Sequence, residues 1–338
     1  MDKLISPGEK IFIAGSTGMV GNAILKVLLN NGYGDKSCDG EIFTPSRNEL
    51  NLLNYRECEN WFENHKPTVV IIAAAKVGGI FANSSRPKDF LLENLKIQNN
   101  IIELSFLNNV KRLIFLGSSC IYPKFAKQPI KEESLLSGEL EKTNEWYAIA
   151  KIAGIKLCEA LRIQEGFDSI CLMPTNLYGP LDNYHRQDSH VMAALIRKFH
   201  EAKQNNSTSV KCWGSGKPQR EFMHVDDLAE AVKFVIEYWD PTKENLSSDK
   251  NLNKSFFLNV GTGKDISILN LANLIAKKTS YKGEIIWDKS MPDGTPRKLL
   301  DVSRLSKLGW KPKVNLEKGI EMTIESFKKE IDSGICRI

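Results

Sequence analysis

Short apolar runs, each closed by turn-forming residues, alternate along the first half of the chain with longer stretches whose apolar side chains recur at helical spacing. Residues 10–14, 41–44, 69–75, 113–116 and 169–173 read as strands. Between them, 20–30, 89–109 and 144–164 read as helices, with Asn30-Asn31-Gly32 and Glu165-Gly166 as stop signals. This alternation predicts an α/β fold around a doubly wound parallel sheet. After Pro174-Thr175-Asn176-Leu177-Tyr178-Gly179-Pro180 the texture changes to loops, a helix from about Val191 and a short strand near 210–213. A second, smaller α/β lobe is expected from there, so that residues 1–180 form the first domain and 181–338 mainly the second, with about 221–262 returning to the first. The polar stretch from Tyr238 to Lys254 reads as a surface loop before a strand at 256–260. There is no internal repeat.

Length agrees with two lobes, since 338 residues compare with roughly 150 per domain. The longest apolar run, 69–75, is far shorter than a membrane span. Met1-Asp2-Lys3 leads within a few residues to the first strand, leaving no room for a charged start, apolar core and cleavage site, so a cytoplasmic protein is expected. Forty-six basic and 41 acidic side chains give a net charge of +5 without a basic block. That argues against nucleic acid as partner and suits an anionic ligand such as a nucleotide. The seven cysteines, Cys38, Cys58, Cys120, Cys158, Cys171, Cys212 and Cys336, are scattered and never spaced C-x-x-C. They point to a reducing compartment and to no metal site.

The first strand runs into Gly15-Ser16-Thr17-Gly18-Met19-Val20-Gly21, which opens a helix. Glycines there permit a tight turn, close approach of the backbone to a pyrophosphate and close helix-on-strand packing, while the helix N-terminus offers free N–H donors. The spacing is G-x-x-G-x-x-G, and its place after the first strand makes it a Rossmann-type dinucleotide site. Cofactor choice is expected at the end of the second strand, where an acidic residue would accept from the ribose hydroxyls of NAD. Ile42-Phe43-Thr44-Pro45-Ser46-Arg47 supplies a hydroxyl and a guanidinium instead, suited to the 2′-phosphate of NADP(H).

Tyr147 and Lys151 stand at i and i+4 on one helix face. An ammonium beside a phenol favours the phenolate and makes a tyrosine of ordinary pKa near 10 a usable acid or base. Leu116-Gly117-Ser118-Ser119-Cys120-Ile121-Tyr122-Pro123 follows a strand directly, where ligands of parallel sheets gather.

The glycine turn, Ser118 and the Tyr147/Lys151 pair resemble the extended short-chain dehydrogenase/reductase superfamily. Ala73-Ala74-Ala75-Lys76-Val77-Gly78-Gly79, Gly117 to Pro123, Tyr147 to Lys151, Pro174 to Pro180 and Pro292-Asp293-Gly294-Thr295-Pro296-Arg297-Lys298 together are similar to the GDP-L-fucose synthase family, from about Lys10 to the C-terminal helix. The resemblance implies a 3,5-epimerase/4-reductase acting on GDP-4-keto-6-deoxy-D-mannose with NADPH. It implies that Ser118 and Tyr147 stabilise charge on O4, that Tyr147 protonates O4, and that Lys151 stabilises the phenolate left behind.

Inversion needs a proton removed on one face and delivered on the other, and Cys120 and His190 match the family's pair for this work. Reference pKa values of about 8.5 and about 6.5 suit both to proton exchange. His185 is a rival that the match demotes. The same match makes Gly15, Ser16, Thr17, Gly18, Met19, Val20, Gly21, Arg47, Leu116, Gly117, Ser118, Ser119, Lys151, Pro174, Thr175, Asn176, Leu177 and His190 cofactor contacts. It makes Arg220 the diphosphate clamp, Trp213 a nearby apolar surface, and Lys198 and Asp293 contacts of the nucleotide sugar. For Trp213 a place in the core is an equal reading. His224-Val225-Asp226-Asp227 reads as the capped start of a helix.

Thr17 and Lys198 depart from the family pattern, since each stands where an arginine occurs among relatives; Lys198 lacks the bidentate fork. Alternatives in function are a GDP-L-colitose synthase and a non-catalytic NADP-binding sensor of the same fold. The family generally forms homodimers through two helices per subunit, here 89–109 and the Tyr147 helix.

Overall fold

The structure, a computed structural model, describes residues 2–242 and 256–338. The first part of the chain forms β1 (Lys10–Ala14), α1 (Met19–Asn30), β2 (Glu41–Phe43), α2 (Tyr55–His65), β3 (Val69–Ile72), α3 (Ile80–Ser85), α4 (Pro87–Leu107), β4 (Arg112–Leu116), α5 (Glu145–Glu165) and β5 (Ser169–Pro174). It continues through β6 (Asn176–Tyr178), α6 (Val191–Gln204), β7 (Ser209–Trp213), β8 (Gln219–His224), α7 (Val225–Tyr238), β9 (Phe257–Val260) and β10 (Asp265–Ser267). The last elements are α8 (Ile268–Thr279), β11 (Glu284–Asp288), β12 (Arg297–Lys298), α9 (Ser303–Lys307) and α10 (Leu316–Asp332). Of the polar stretch expected as a surface loop, Tyr238 ends α7 and residues 243–254 lie outside the described residues.

Six strands pair in parallel in the order β2-β1-β3-β4-β5-β9. Alternation along each strand sends side chains to two cores. Ile11, Ile13, Val69 and Ile71 pack with Ile24 and Leu28 of α1 and with Leu228 and Val232 of α7. Phe12, Val70, Ile72 and Phe115 pack on the other face with Trp61 and Phe62 of α2, Ile101 of α4 and Ile155 of α5. Helices on both faces of a parallel sheet are the doubly wound arrangement read from the sequence. The strand order reverses around β1, so the carboxyl ends of β1 and β3 border the crevice where such sheets take ligands.

The strand expected at 69–75 ends earlier. Ala73 still donates to the Ala14 carbonyl at 3.0 Å, but Ala74 then lies against Gly15, close enough that a Cβ on Gly15 would fall 2.7 Å from the Ala74 nitrogen. Helix α2 had no counterpart in the sequence reading. Its buried stripe is only Cys58, Trp61 and Phe62, and its clearest signal is a cap: Asn54 Oδ1 accepts from the Arg56 and Glu57 N–H groups, and Asn54 Nδ2 donates to Glu57 Oε1 at 2.7 Å.

Beyond β5, a second set of strands centres on β8, which pairs antiparallel with β10 and parallel with β12 and β6. Strands β7 and β11 form a separate parallel pair. Helices α6, α8 and α10 bury a third core that includes Phe199, Leu271, Ile275 and Phe327. His224 caps α7 by accepting from the Asp226 N–H, as the sequence reading expected.

Two buried carboxylates tie these parts together. Glu221 of β8 accepts from the Thr262, Gly263 and Leu300 N–H groups at 2.5, 2.7 and 2.9 Å. Its own carbonyl accepts from Thr175 Oγ1 at 3.2 Å and Asn176 Nδ2 at 2.7 Å. Glu132 Oε1 accepts from the Asn259 N–H at 2.9 Å, and Asn259 Oδ1 accepts from the Tyr122 hydroxyl at 2.6 Å. Among the described residues, no helix is long and apolar enough to cross a membrane, and no group of three or more His, Cys, Asp or Glu side chains could hold a metal ion.

Burial raises the Glu132 carboxyl to about 7, so between its ordinary value of 4.5 and about 7 the folded chain holds a proton that the unfolded chain releases. Folding stability from this group is therefore complete below the ordinary value and is lost as pH rises through that window. Glu132→Gln keeps an oxygen acceptor for Asn259 and removes the titration. Thermal unfolding of this variant is expected to show a gain over the parent that grows by about 1–3 kcal/mol from pH 4.5 to pH 7.5.

Candidate active site

The turn between β1 and α1 is built for close backbone approach. Gly15 has φ +86°, and a Cβ on Gly21 would fall 2.2 Å from the Gly15 carbonyl oxygen. Gly18 is different, since a Cβ there would meet only the Gly15 oxygen, at 3.4 Å, so its far side is open. Helix α1 starts without a side-chain cap and without an acidic residue in its first turn. Ser16 Oγ is buried and has no hydrogen-bond partner. Uncapped N–H groups, a positive dipole end and an orphaned hydroxyl in one turn are the donor set a dinucleotide diphosphate requires. Arg47 is exposed just past β2, where the Ser46 N–H is taken by Glu49 Oε2 at 2.7 Å. The Arg47 guanidinium itself shows no hydrogen bond or ion pair among the described residues, which fits a 2′-phosphate there.

At the carboxyl end of β4, Ser118 caps a short 3-10 turn by accepting from the Cys120 N–H at 3.2 Å. The Ser118 hydroxyl lies near the Tyr147 hydroxyl and favours its ionised form, but burial outweighs it and holds the phenol well above its ordinary pKa. Lys151 is buried, donates to the Leu116 carbonyl at 2.8 Å and lies 4.6 Å from the Phe115 ring centroid. Burial pulls its ammonium down to about 7. Tyr147 and Lys151 do share a helix face, with Lys151 Nζ 5.8 Å from the Tyr147 ring centroid. The sequence expectation of a phenolate already favoured by this lysine is corrected: the nearest acceptor for the ammonium is a backbone carbonyl, and desolvation disfavours both charges.

A second group faces this one. Cys120 Sγ accepts from Asn144 Nδ2 at 3.3 Å and from Lys298 Nζ at 3.7 Å. The Asn144 Oδ1 atom is buried without a partner. His190 is the N-cap residue of α6 and is exposed; desolvation by neighbouring protein, with a smaller contribution from the Lys298 ammonium, holds the imidazole below its ordinary pKa. Arg220 donates to the Asp293 carbonyl at 3.3 Å, and Cys120 and Asp293 lie within electrostatic reach of its guanidinium. Parallel pairing of β12 with β8 places Lys298 opposite Arg220. Ser118, Cys120, Tyr147, Lys151, His190 and Arg220 thus converge. Asn144 and Lys298 join them without having been singled out by role; Lys298 closes a motif already quoted, and Asn144 sits at the start of the tyrosine helix.

The remaining candidates divide. Lys198 donates to the Lys211 carbonyl at 2.9 Å and lies 5.6 Å from the Trp213 ring centroid. Together they line a shallow groove of about 390 Å³ that shares no lining residue with the cleft. Trp213 is 45% exposed, so it is not a core residue. Asp293, expected to contact the nucleotide sugar, is also tied into the fold. Both its oxygens are engaged by Ser215, from the backbone N–H and the hydroxyl at 2.7 Å each, and a Cβ on Gly214, at φ +79°, would strike Asp293 Oδ1 at 2.4 Å. Asp293 therefore shapes the 214–216 turn beside Arg220. Of 174–177, Pro174 and Thr175 are buried, and the Thr175 and Asn176 side chains bond Glu221.

The chain matches the NAD dependent epimerase/dehydratase family over residues 11–246. It is 50% identical to the GDP-L-fucose synthase of Escherichia coli strain K12 over 329 residues, spanning 96% of this chain and 98% of that protein. It is 39% identical to the GDP-L-colitose synthase of Yersinia pseudotuberculosis over 322 residues, spanning 95% and 98%. Among solved structures, it resembles MlghC, a GDP-mannoheptose C4 reductase from Campylobacter jejuni with NADP bound, at 37% identity and a TM-score of 0.82, covering 96% of this chain and 99% of that one.

Arg47→Ala removes the unpaired guanidinium past β2. Fluorescence titration is expected to show NADPH binding weakened by about tenfold, the size of one charge-assisted hydrogen bond, and NADH binding unchanged.

Proposed function

Because the chain belongs to the NAD dependent epimerase/dehydratase family, we propose that it converts GDP-4-keto-6-deoxy-D-mannose to GDP-L-fucose by 3,5-epimerisation followed by NADPH-dependent reduction at C4. The observation that carries this reading is the placement of two proton-handling side chains, Cys120 and His190, around the Lys298 ammonium and beside the Ser118–Tyr147 pair. Identity of 50% to a GDP-L-fucose synthase against 39% to a GDP-L-colitose synthase favours the fucose product.

The glycine turn, Ser16 and the start of α1 would hold the cofactor diphosphate, and Arg47 its 2′-phosphate. When bound, NADPH supplies the hydride that reduces C4. The C4 carbonyl acidifies the protons on C3 and C5, and removing either one puts enolate charge on O4. Ser118 and Tyr147 stabilise that charge by donating to O4. Cys120 and His190 remove and return protons on opposite faces of the ring. Asn144 and Lys298, both donating to the sulfur, fix where Cys120 acts. The lowered His190 pKa keeps its imidazole neutral near pH 7, ready to accept a proton. Tyr147 then delivers its proton to O4 as C4 is reduced, and Lys151 offsets the phenolate charge. Arg220 pairs with the GDP diphosphate, while Trp213 and Lys198 border the nucleotide.

The setting is the cytoplasm, and the working form is a homodimer. Leu92, Trp146, Ile149 and Ile163 expose apolar surface on α4 and α5, which pack against each other, and a second copy would cover it. A light-scattering mass of about twice the 38.1 kDa chain is expected; a single-chain mass overturns the dimer.

The activity is tested by incubating the protein with GDP-4-keto-6-deoxy-D-mannose and NADPH in deuterated water. GDP-L-fucose carrying deuterium at C3 and C5 is the expected product. Tyr147→Phe should slow reduction by about 10²–10⁴-fold, and Cys120→Ala and His190→Asn should each suppress exchange. Turnover of the 3,6-dideoxy keto sugar alone would make this a colitose enzyme, and no turnover of either would leave a sensor.

A further inference from the structure

His190 ends a loop whose tip has few ties to the rest of the chain. Its early part is held by the C-terminal region: Leu181 N–H donates to Glu330 Oε1 at 2.9 Å, and Tyr184 N–H donates to the Arg337 carbonyl at 2.8 Å. Between Gln187 and Ser189 the backbone N–H groups donate only to His185, to its ring Nδ1 or its carbonyl. The cross-links from this tip to the first lobe run through Asp188. Its carbonyl accepts from the Gly79 N–H at 2.8 Å, and its carboxylate pairs with Arg86 Nη2 at 2.6 Å. The contact is close on the other side too, because a Cβ on Gly79 would fall 2.5 Å from the Ser189 carbonyl oxygen. Gly79 has φ −68°, so a glycine is needed there for space and not for backbone conformation. Asn83 Nδ2 donates to the Gly78 and Gly79 carbonyls at 2.8 and 3.0 Å, which fixes the turn that presents the N–H.

These residues sit in the connection after β3, at the edge of the crevice between β1 and β3. We propose that Asp188, gripped by Arg86 and by the Gly79 N–H, is the device that positions His190 against the first lobe for its proton transfer. Arg86, Gly79 and Asp188 are positioning residues, since none of them need touch the substrate. The inference rests on the preceding reading of His190 as a proton-transfer group, and it accounts for the Val77-Gly78-Gly79 motif, which the reaction itself does not use.

The test separates proton exchange from hydride transfer. Exchange is read as deuterium entering C3 and C5 of GDP-4-keto-6-deoxy-D-mannose in deuterated water with NADP+ bound. Hydride transfer is read as a single turnover of GDP-L-fucose with saturating NADP+, which needs no inversion. Arg86→Met should lower exchange by about threefold to fivefold, the range of a partly exposed ion pair. Gly79→Ala should lower it by about 10²-fold, as expected for a displacement near 1 Å. Hydride transfer should stay within about twofold in both, Arg86→Lys should restore most of the exchange, and 1 M salt, with substrate and cofactor kept saturating, should slow exchange more in the parent than in Arg86→Met. His190→Asn is the reference. If it lowers exchange while Arg86→Met and Gly79→Ala do not, the positioning role is overturned and the role of His190 stands. If it leaves exchange intact, both fall together. Equal loss of exchange and hydride transfer in Arg86→Met would mean a general structural role and would also overturn the proposal.

Discussion

A carboxylate taken wholly out of water must be met by hydrogen-bond donors, and the burial of Glu221 imposes that condition at the junction of the two sheets. Its donors come from separate stretches: Thr262 and Gly263 just past β9, and Leu300 just past β12. Its carbonyl receives Thr175 and Asn176 at the end of β5. One residue earlier stands Arg220, and two residues before Leu300 stands Lys298. The spacing between the carboxyl ends of the parallel strands and the groups that face them is therefore set by one anion and its acceptor geometry.

That spacing gives the cleft its electrostatic character. Burial raises the Tyr147 phenol and lowers the Lys151 ammonium to about 7, and desolvation by neighbouring protein lowers the His190 imidazole. Desolvation disfavours the charged form of each of these groups around a position where a substrate carbonyl would gather charge. Preorganised donors of this kind stabilise a developing enolate without prior reorganisation of solvent.

The local signals were readable where one short segment does one physical task. The glycine turn combines tight conformation with close approach inside seven residues, the Tyr147/Lys151 pair follows from helix periodicity, and the capping role of His224 needs only its own N-terminus. Less was legible where a task is shared between distant segments. Asn144 and Lys298 both serve Cys120, yet 24 and 178 residues separate them from it. Asp293 was read only as a ligand contact, and its bond to Ser215, 78 residues away, was not foreseen. Helix α2 was missed because its buried stripe is three side chains wide and its cap is the only strong cue.

From the order of residues alone came the doubly wound class, the dinucleotide turn and the Tyr147/Lys151 pair, while Cys120 and His190 entered as candidates through a family resemblance. Periodicity, glycine sterics and side-chain chemistry are properties of neighbours in the chain, and they survive without knowledge of the fold. Tertiary packing settled the protonation preferences and the partners. Desolvation of Lys151 on α5 depends on Phe115 and Leu116 from β4, and the His190 environment depends in part on Lys298 from β12. The grip on Asp188 depends on Gly79 and Arg86 from the opposite side of the crevice. Burial and through-space charge are sums over residues far apart in the chain, and those sums exist only once the chain has closed on itself.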